Sequence, residues 1–231
     1  MNSTVSLGGI DKFTLTRAFL LYASNGRYMV TAHDIEKRGG IPRLGAARPI
    51  TRDSVHEMVR AIGMDVTRRV LPENVLCYTD GFLCWWTPAQ SRPLFFLAGS
   101  PLAALNGKEL PIPPMVWVAS GRADLRVRVL PGSARPTSET RLLMAPFWNV
   151  SHGGDVCTGS ARTPNHTSPD SIADWEAMFF GSEFSHQLGA TRVKKGGLND
   201  FWMSLLGCSE YPTSKLIQVE TLGEFVGEER R

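Results

Sequence analysis

Two short, largely apolar runs, Ala18–Tyr22 and Tyr28–Thr31, come first and flank Asn25-Gly26. Both turn residues tolerate positive φ, so this pattern predicts a two-residue β-hairpin. Residues 37–50 are rich in Gly, Arg and Pro and read as a loop. The period then changes. Val55, Met58, Val59 and Ile62 recur at helical spacing, with Thr51 placed to cap the start and Gly63 just past the end. Strand-like runs follow at Val75–Thr79 and Phe82–Trp86, around the turn signal Asp80-Gly81, and again at Pro93–Ala98, Met115–Val118 and Leu125–Leu130. Prolines 111, 113 and 114 exclude a central strand and predict an extended approach to the sheet. In Leu125–Leu130, Arg126 and Arg128 alternate with apolar residues, which predicts one wet face. Ser168-Pro169-Asp170 carries the signals of a helix start, with Ile172, Trp175 and Phe179 on one face beyond it. A last helical stripe, Phe201, Trp202, Leu205 and Leu206, ends at Gly207. Strands first and helices last predict an α+β fold with an antiparallel sheet, not a doubly wound nucleotide-binding fold.

Size and composition narrow the organisation. The chain has 231 residues, 42% hydrophobic and 20% charged, which excludes collagen-like, coiled-coil and wholly disordered classes and fits one large domain or one domain with an appendage. The expected division is an N-terminal hairpin-helix extension at 1–65, a main domain at 66–210 and a C-terminal tail at 211–231, frayed from Glu224 onward. No apolar run approaches the length of a membrane span, and residues 1–12 lack the basic start and apolar stretch of a secretion signal, so the expected compartment is the cytoplasm. Residues 1–70 hold 11 Lys/Arg against 6 Asp/Glu, a basic excess that reads first as a solvated surface. Nucleic acid is therefore not an expected partner. Five of the six tryptophans lie on predicted strands or helix stripes and read as core.

The four cysteines show neither metal spacing nor a disulfide framework, and no cofactor or metal is expected. Cys77 and Cys84 fall opposite each other across the predicted Asp80-Gly81 turn and read as buried thiols, and Cys208 reads as structural. Cys157 differs. It lies in a stretch of more than 30 residues, 131–167, with little periodicity, and a loop of that length inside a compact domain is more often functional than idle. Gly153-Gly154 and Gly159 flank it, and glycines let a partner approach the backbone closely. That context favours an accessible nucleophilic thiol. His152, His166 and His186 are the imidazoles that could approach it and make a Cys/His hydrolase.

The string Asn149-Val-Ser-His-Gly-Gly-Asp-Val-Cys157 resembles the active-site segment of ubiquitin-conjugating (E2) enzymes, in which an Asn precedes the catalytic Cys by the same eight positions. Leu110–Pro114, Arg135-Pro136, Ala145–Asn149, Asp155–Gly159 and Trp175–His186 together resemble the PRTRC system protein B family, bacterial E2 family D. This resemblance implies an E2/UBC-like fold: an antiparallel meander, a long active-site loop and C-terminal helices. It implies that Cys157 accepts a ubiquitin-like modifier, protein C of the cassette, as a thioester from a ThiF/E1-like activating protein. A JAB-type peptidase and a ParB-related protein are the other implied partners. Asn149 would donate to the oxyanion or hold the loop, and Trp148, His152, Gly154 and Asp155 would shape the site. Two departures stand out: Phe147-Trp148 occupy the place of the His-Pro of eukaryotic E2 enzymes, and Thr158-Gly159 replace a Leu-Asp that follows the Cys in many of them. A non-catalytic scaffold that binds the modifier or a ParB-related partner is the alternative reading, and a thiol hydrolase using Cys157 with His152 or His186 is another.

Overall fold

A computed structural model describes residues 4–5, 13–61, 70–121, 123–188 and 193–227. The chain divides into two compact units, Met1–Arg68 and Arg69–Arg231.

In the first unit β1 (Arg17–Ser24) pairs with β2 (Arg27–Arg38) through the expected turn, where Asn25 and Gly26 have φ of 48° and 74°. The segment 37–50 is not a loop. β2 runs on to Arg38 and turns back at Gly39-Gly40, with φ of 61° and 79°, into β3 (Ile41–Leu44). A Gly-Gly pair supports the same two-residue turn as Asn-Gly, and that signal lay within the run read as irregular. The helix α1 (Arg52–Ala61) follows, with the Ser54 N–H donating to Thr51 Oγ1 at 3.2 Å as an N-cap contact. Ile62 and Gly63, the expected end of the helical stripe, lie outside the described residues.

The second unit is built on a six-stranded antiparallel sheet whose spatial order follows the chain: β4 (Val75–Thr79), β5 (Phe82–Thr87), β6 (Met115–Ser120), β7 (Asp124–Val129), β8 (Arg141–Leu143) and β9 (Gln218–Thr221). Asp80-Gly81 closes the first hairpin and sets Cys77 opposite Cys84. Neither cysteine forms a disulfide, and the hydrogen bond with Cys77 together with burial pushes the Cys84 thiol up, which leaves it inert. The run at 93–98 does not form one strand. Pro93 ends a strand at Gln90–Pro93 that pairs with Glu109–Ile112, and Phe95–Phe96 then pairs in parallel with Glu183–Phe184. The proline-containing Glu109–Ile112 strand stays in a two-stranded ribbon, as a chain short of N–H donors must.

Alternation sends the two faces of the sheet into two cores. One face carries Trp85 and Trp117, directly paired and stacked with centroids 5.8 Å apart, under the aromatic face of the helix α2 (Ile172–Gly181). Trp175 and Phe179 are fully buried there, and Phe179 meets Trp117 edge-on at 5.1 Å. The capping box at Ser168 and Ser171 starts the turn that leads into this helix. A shorter helix, α3 (Leu198–Met203), adds Phe201 and Trp202 to the same core. The other face, around Cys84, Val116 and Val118, is covered by α4 (Leu222–Val226) through Leu222 and Phe225. Residues 211–227 are thus not a tail: they supply an outer strand and the helix that closes the second core. Thr221 and Glu224 form a reciprocal capping box, and Gly227 at φ 77° ends the helix. Residues 228–231 lie outside the description.

Glu176 of α2 is a buried carboxylate in this unit, accepting from Trp85 Nε1 at 3.1 Å and lying 3.3 Å from Arg92. Desolvation raises its pKa above the ordinary 4.5, against the pull of Trp85 and Arg92. A carboxyl whose folded pKa is raised contributes stability that is fully present below the unfolded value and is lost as pH rises through the folded one. The stability of Glu176→Gln relative to the native protein is therefore expected to be lower at pH 4.5 than at pH 7, measured by urea unfolding at both. A difference independent of pH would show that Glu176 does not titrate in this window.

Candidate active site

The long stretch 131–167 contains more order than its composition suggests. Arg135 donates to the carbonyl of Glu73 and, at 2.9 Å, to that of Val75, and β8 brings the chain back beside β7. From Asn149 to Cys157 the backbone forms a tight hairpin. The Cys157 N–H donates to the Asn149 carbonyl at 2.7 Å, Val150 bridges Val156, and the Ser151 N–H donates to the Asp155 carbonyl at 2.8 Å. The eight-residue spacing thus has a physical meaning: the two residues are cross-strand partners at the base of one turn. Ser151 Oγ donates to Asp155 Oδ2 at 2.8 Å and accepts from the Asp155 N–H at 3.0 Å, which braces the turn from within. His152 and Gly153 sit exposed at its tip.

The returning arm is stitched to β7. The Val127 N–H donates to the Gly154 carbonyl at 2.9 Å and the Val156 N–H to the Leu125 carbonyl at 2.8 Å. Gly154 is required for this contact. Its φ is 93°, and a Cβ there would lie 2.8 Å from the Val127 carbonyl oxygen and 3.0 Å from Arg128 Nη1. The segment 154–157 therefore extends the sheet at the half of β7 that β8 leaves open.

Asn149 is buried, and its amide is engaged on both sides: Nδ2 donates to the Glu183 carbonyl at 2.9 Å and Oδ1 accepts from the Ser185 N–H at 3.3 Å. The side chain ties the hairpin to the segment that follows α2. Trp148 is buried below, its Nε1 donating to Asn199 Oδ1 at 3.1 Å and its ring edge-on to Phe96. Phe147 packs against Phe179, Phe184 and Trp202. Phe147-Trp148 thus anchor the loop by aromatic packing.

Cys157 is exposed, and among the described residues its thiol has no hydrogen-bond partner. A cleft of about 320 Å³ lies along the returning arm, lined by Ser120, Asp124, Arg126, Asp155 and Val156 among others, and Cys157 does not line it. Of the imidazoles, His186 Nδ1 is 2.9 Å from Ser185 Oγ, and His152 and His166 are exposed. None of the three hydrogen-bonds to the sulfur, so no Cys/His pair is assembled among the described residues. Nor does any group of three His, Cys, Asp or Glu side chains among them stand where it could hold a metal ion. No described helix is long and apolar enough to cross a membrane.

Local patterning does not reveal what lies under the returning arm. Arg126 and Arg128 do alternate with apolar residues, but only Arg126, half-buried, keeps contact with solvent. Arg128 is buried, with Nε donating to Glu220 Oε1 at 2.9 Å. Phe225 lies beneath both guanidinium groups, 4.7 Å from Arg126 and 5.6 Å from Arg128, and its carbonyl accepts from Arg126 at 2.9 Å. The capping box Thr221-x-x-Glu224 was the sequence signal for this cover.

A family model described as prokaryotic E2 family D matches residues 54–219. No curated protein and no solved structure matches the chain. The matched segment starts within α1 and takes in the meander, the hairpin that presents Cys157, and α2 and α3. With well over half of the sequence accounted for in this way, the chain belongs to prokaryotic E2 family D.

Proposed function

We propose that the second unit is an E2/UBC-like conjugating domain of a PRTRC cassette and that Cys157 carries a ubiquitin-like modifier as a thioester. The observation that carries this reading is an exposed cysteine whose own N–H is held by the Asn149 carbonyl, on a hairpin hydrogen-bonded into the sheet of a prokaryotic E2 family member. A carrier needs its thiol open to two proteins in turn yet fixed in place, and backbone hydrogen bonds fix it without covering the sulfur. The four-strand meander β4–β7, the long segment after it and the helix α2 support the E2-like comparison.

The step is a transthioesterification. The Cys157 sulfur, as thiolate, attacks the carbonyl carbon of the modifier's C-terminal glycine, which arrives as a thioester on a ThiF/E1-like activating protein. A new C–S bond forms, the C–S bond to the activator breaks, and the activator's thiolate leaves and takes up a proton. ATP is consumed earlier, on the activator, so this chain needs no cofactor of its own. Asn149 is a positioning residue: its amide holds the hairpin against residues 183–185. The cassette's protein C is the proposed cargo, and its JAB-type peptidase and ParB-related protein are proposed partners outside this step.

Reconstitution tests the reading. The protein, its cassette's ThiF-like activator, protein C and ATP are expected to give an adduct that reductant cleaves. Cys157→Ser is expected to give a reductant-resistant ester or none, whereas Cys208→Ser, at the other exposed thiol, loads normally. A reductant-cleavable adduct that survives Cys157→Ser would overturn the assignment.

A further inference from the structure

The residues after 219 lie beyond the family match, yet they reach the floor of the cysteine hairpin. We infer that Glu220, Phe225 and Arg128 form a brace through which the C-terminal strand and helix hold Cys157 in place, an inference that rests on the carrier reading for its functional meaning. The contacts run in one continuous path. Glu220 accepts from Arg128 at 2.9 Å, and Phe225 lies under Arg128 and Arg126 and receives a hydrogen bond from Arg126 on its carbonyl. Arg128 in turn presses on the turn: its Nη1 and Cζ lie 3.0 and 3.2 Å from the position of a Cβ on Gly154. Arg126 pairs with Asp155 across an antiparallel bridge. The next backbone bonds along the arm are Val156 to Leu125 and Cys157 to Asn149.

Two physical features make this a brace and not incidental packing. A buried guanidinium needs its carboxylate, so Arg128 adopts the position under Gly154 only while Glu220 is seated. Phe225 then offers the guanidinium groups a flat face, which fixes their planes as well as their distance. Glu220, Phe225 and Arg128 touch no reacting atom. They are positioning residues, acting through Gly154 and Asp155.

Hydrogen exchange of the full chain reads the brace directly and without any partner protein. Phe225→Ala is expected to speed exchange of the Val127, Val156 and Cys157 amides about tenfold or more, while the amides paired between β4 and β5 change less than about twofold. Phe225→Tyr, which keeps the ring, is expected to restore slow exchange. If Phe225→Ala does not fold, Glu220→Gln gives the same test with the packing intact. Loading kinetics add the functional arm: in either variant the rate constant for thioester formation falls about fivefold or more, with the KM for charged activator unchanged. Uniform acceleration across the sheet, or unchanged exchange at 156–157, overturns the brace. Failure of the unmodified protein to load overturns the carrier reading and leaves the exchange result standing.

Discussion

Replacing Gly154 by alanine is expected to destabilise the second unit by about 3 kcal/mol and to abolish thioester loading at Cys157. Two costs add. A non-glycine residue in the left-handed region costs about 1–2 kcal/mol, and overpacking a filled site costs about 1–3 kcal/mol more. The second cost applies because the new Cβ would meet the Val127 carbonyl at 2.8 Å and the Arg128 guanidinium at 3.0 Å, and neither belongs to a side-chain end free to swing away. The arm can relieve the clash only by leaving β7, which breaks the bonds from Val127 to Gly154 and from Val156 to Leu125. Gly159 supplies the control. It also has positive φ, at 53°, but a Cβ there meets nothing within 4 Å, so Gly159→Ala is expected to cost only about 1 kcal/mol and to leave loading intact. Urea unfolding of both variants beside a loading assay checks the pair. Equal effects at the two glycines would show that the hairpin is not clamped as described.

Asn149→Ala is expected to be of similar size, about 3 kcal/mol, because it removes two hydrogen bonds and leaves the Glu183 carbonyl and the Ser185 N–H without their partner. Asn149→Asp is expected to be no better, since a carboxylate cannot donate to the Glu183 carbonyl. The pattern of the kinetic loss separates two roles. A residue that holds the loop lowers loading and stability together and leaves the discharge rate of each loaded molecule unchanged. A residue that donates to the oxyanion slows discharge, typically by about 100-fold or more, without a matching loss of stability. The engagement of both amide atoms favours the first outcome, and single-turnover discharge of isotopically labelled modifier decides it.

Several elements were legible because they depend on neighbours in the chain. Asp80-Gly81 fixes a two-residue turn, and the turn alone sets Cys77 against Cys84. Thr51 caps the next helix within a few residues of itself. The glycines around Cys157 point to its thiol, the Asn149–Cys157 spacing enters through the resemblance to E2 enzymes, and the structure gives that spacing a cause, a hairpin closed by a 2.7 Å backbone bond. The stretch 37–50 differs from its expected loop for a local reason as well, the Gly39-Gly40 turn hidden among prolines and arginines.

Other features depend on groups far apart in sequence. Phe147-Trp148 look like a departure from the E2 pattern until Phe96, Phe179, Phe184 and Trp202 are placed around them. The alternation of Arg126 and Arg128 marks a strand, but it does not show that Arg128 is buried and Arg126 half-buried, because the ring and carbonyl that cover them come from Phe225, 99 residues beyond Arg126. The same holds for residues 211–227, whose charged end masks the Leu222 and Phe225 pair that closes the second core.

By itself the sequence determined the α+β class and the Asp80-Gly81 hairpin that opens the sheet, since turns, caps and periodicity are short-range properties of the chain, and it offered the cysteine on which the chemistry is proposed to fall. Only the tertiary structure decided which side of each strand is dry, where the amide of Asn149 points and what stands under Gly154. Those depend on segments about 30 to 100 residues apart meeting at one place, and hydrophobic burial selects that meeting without recording it in any local pattern.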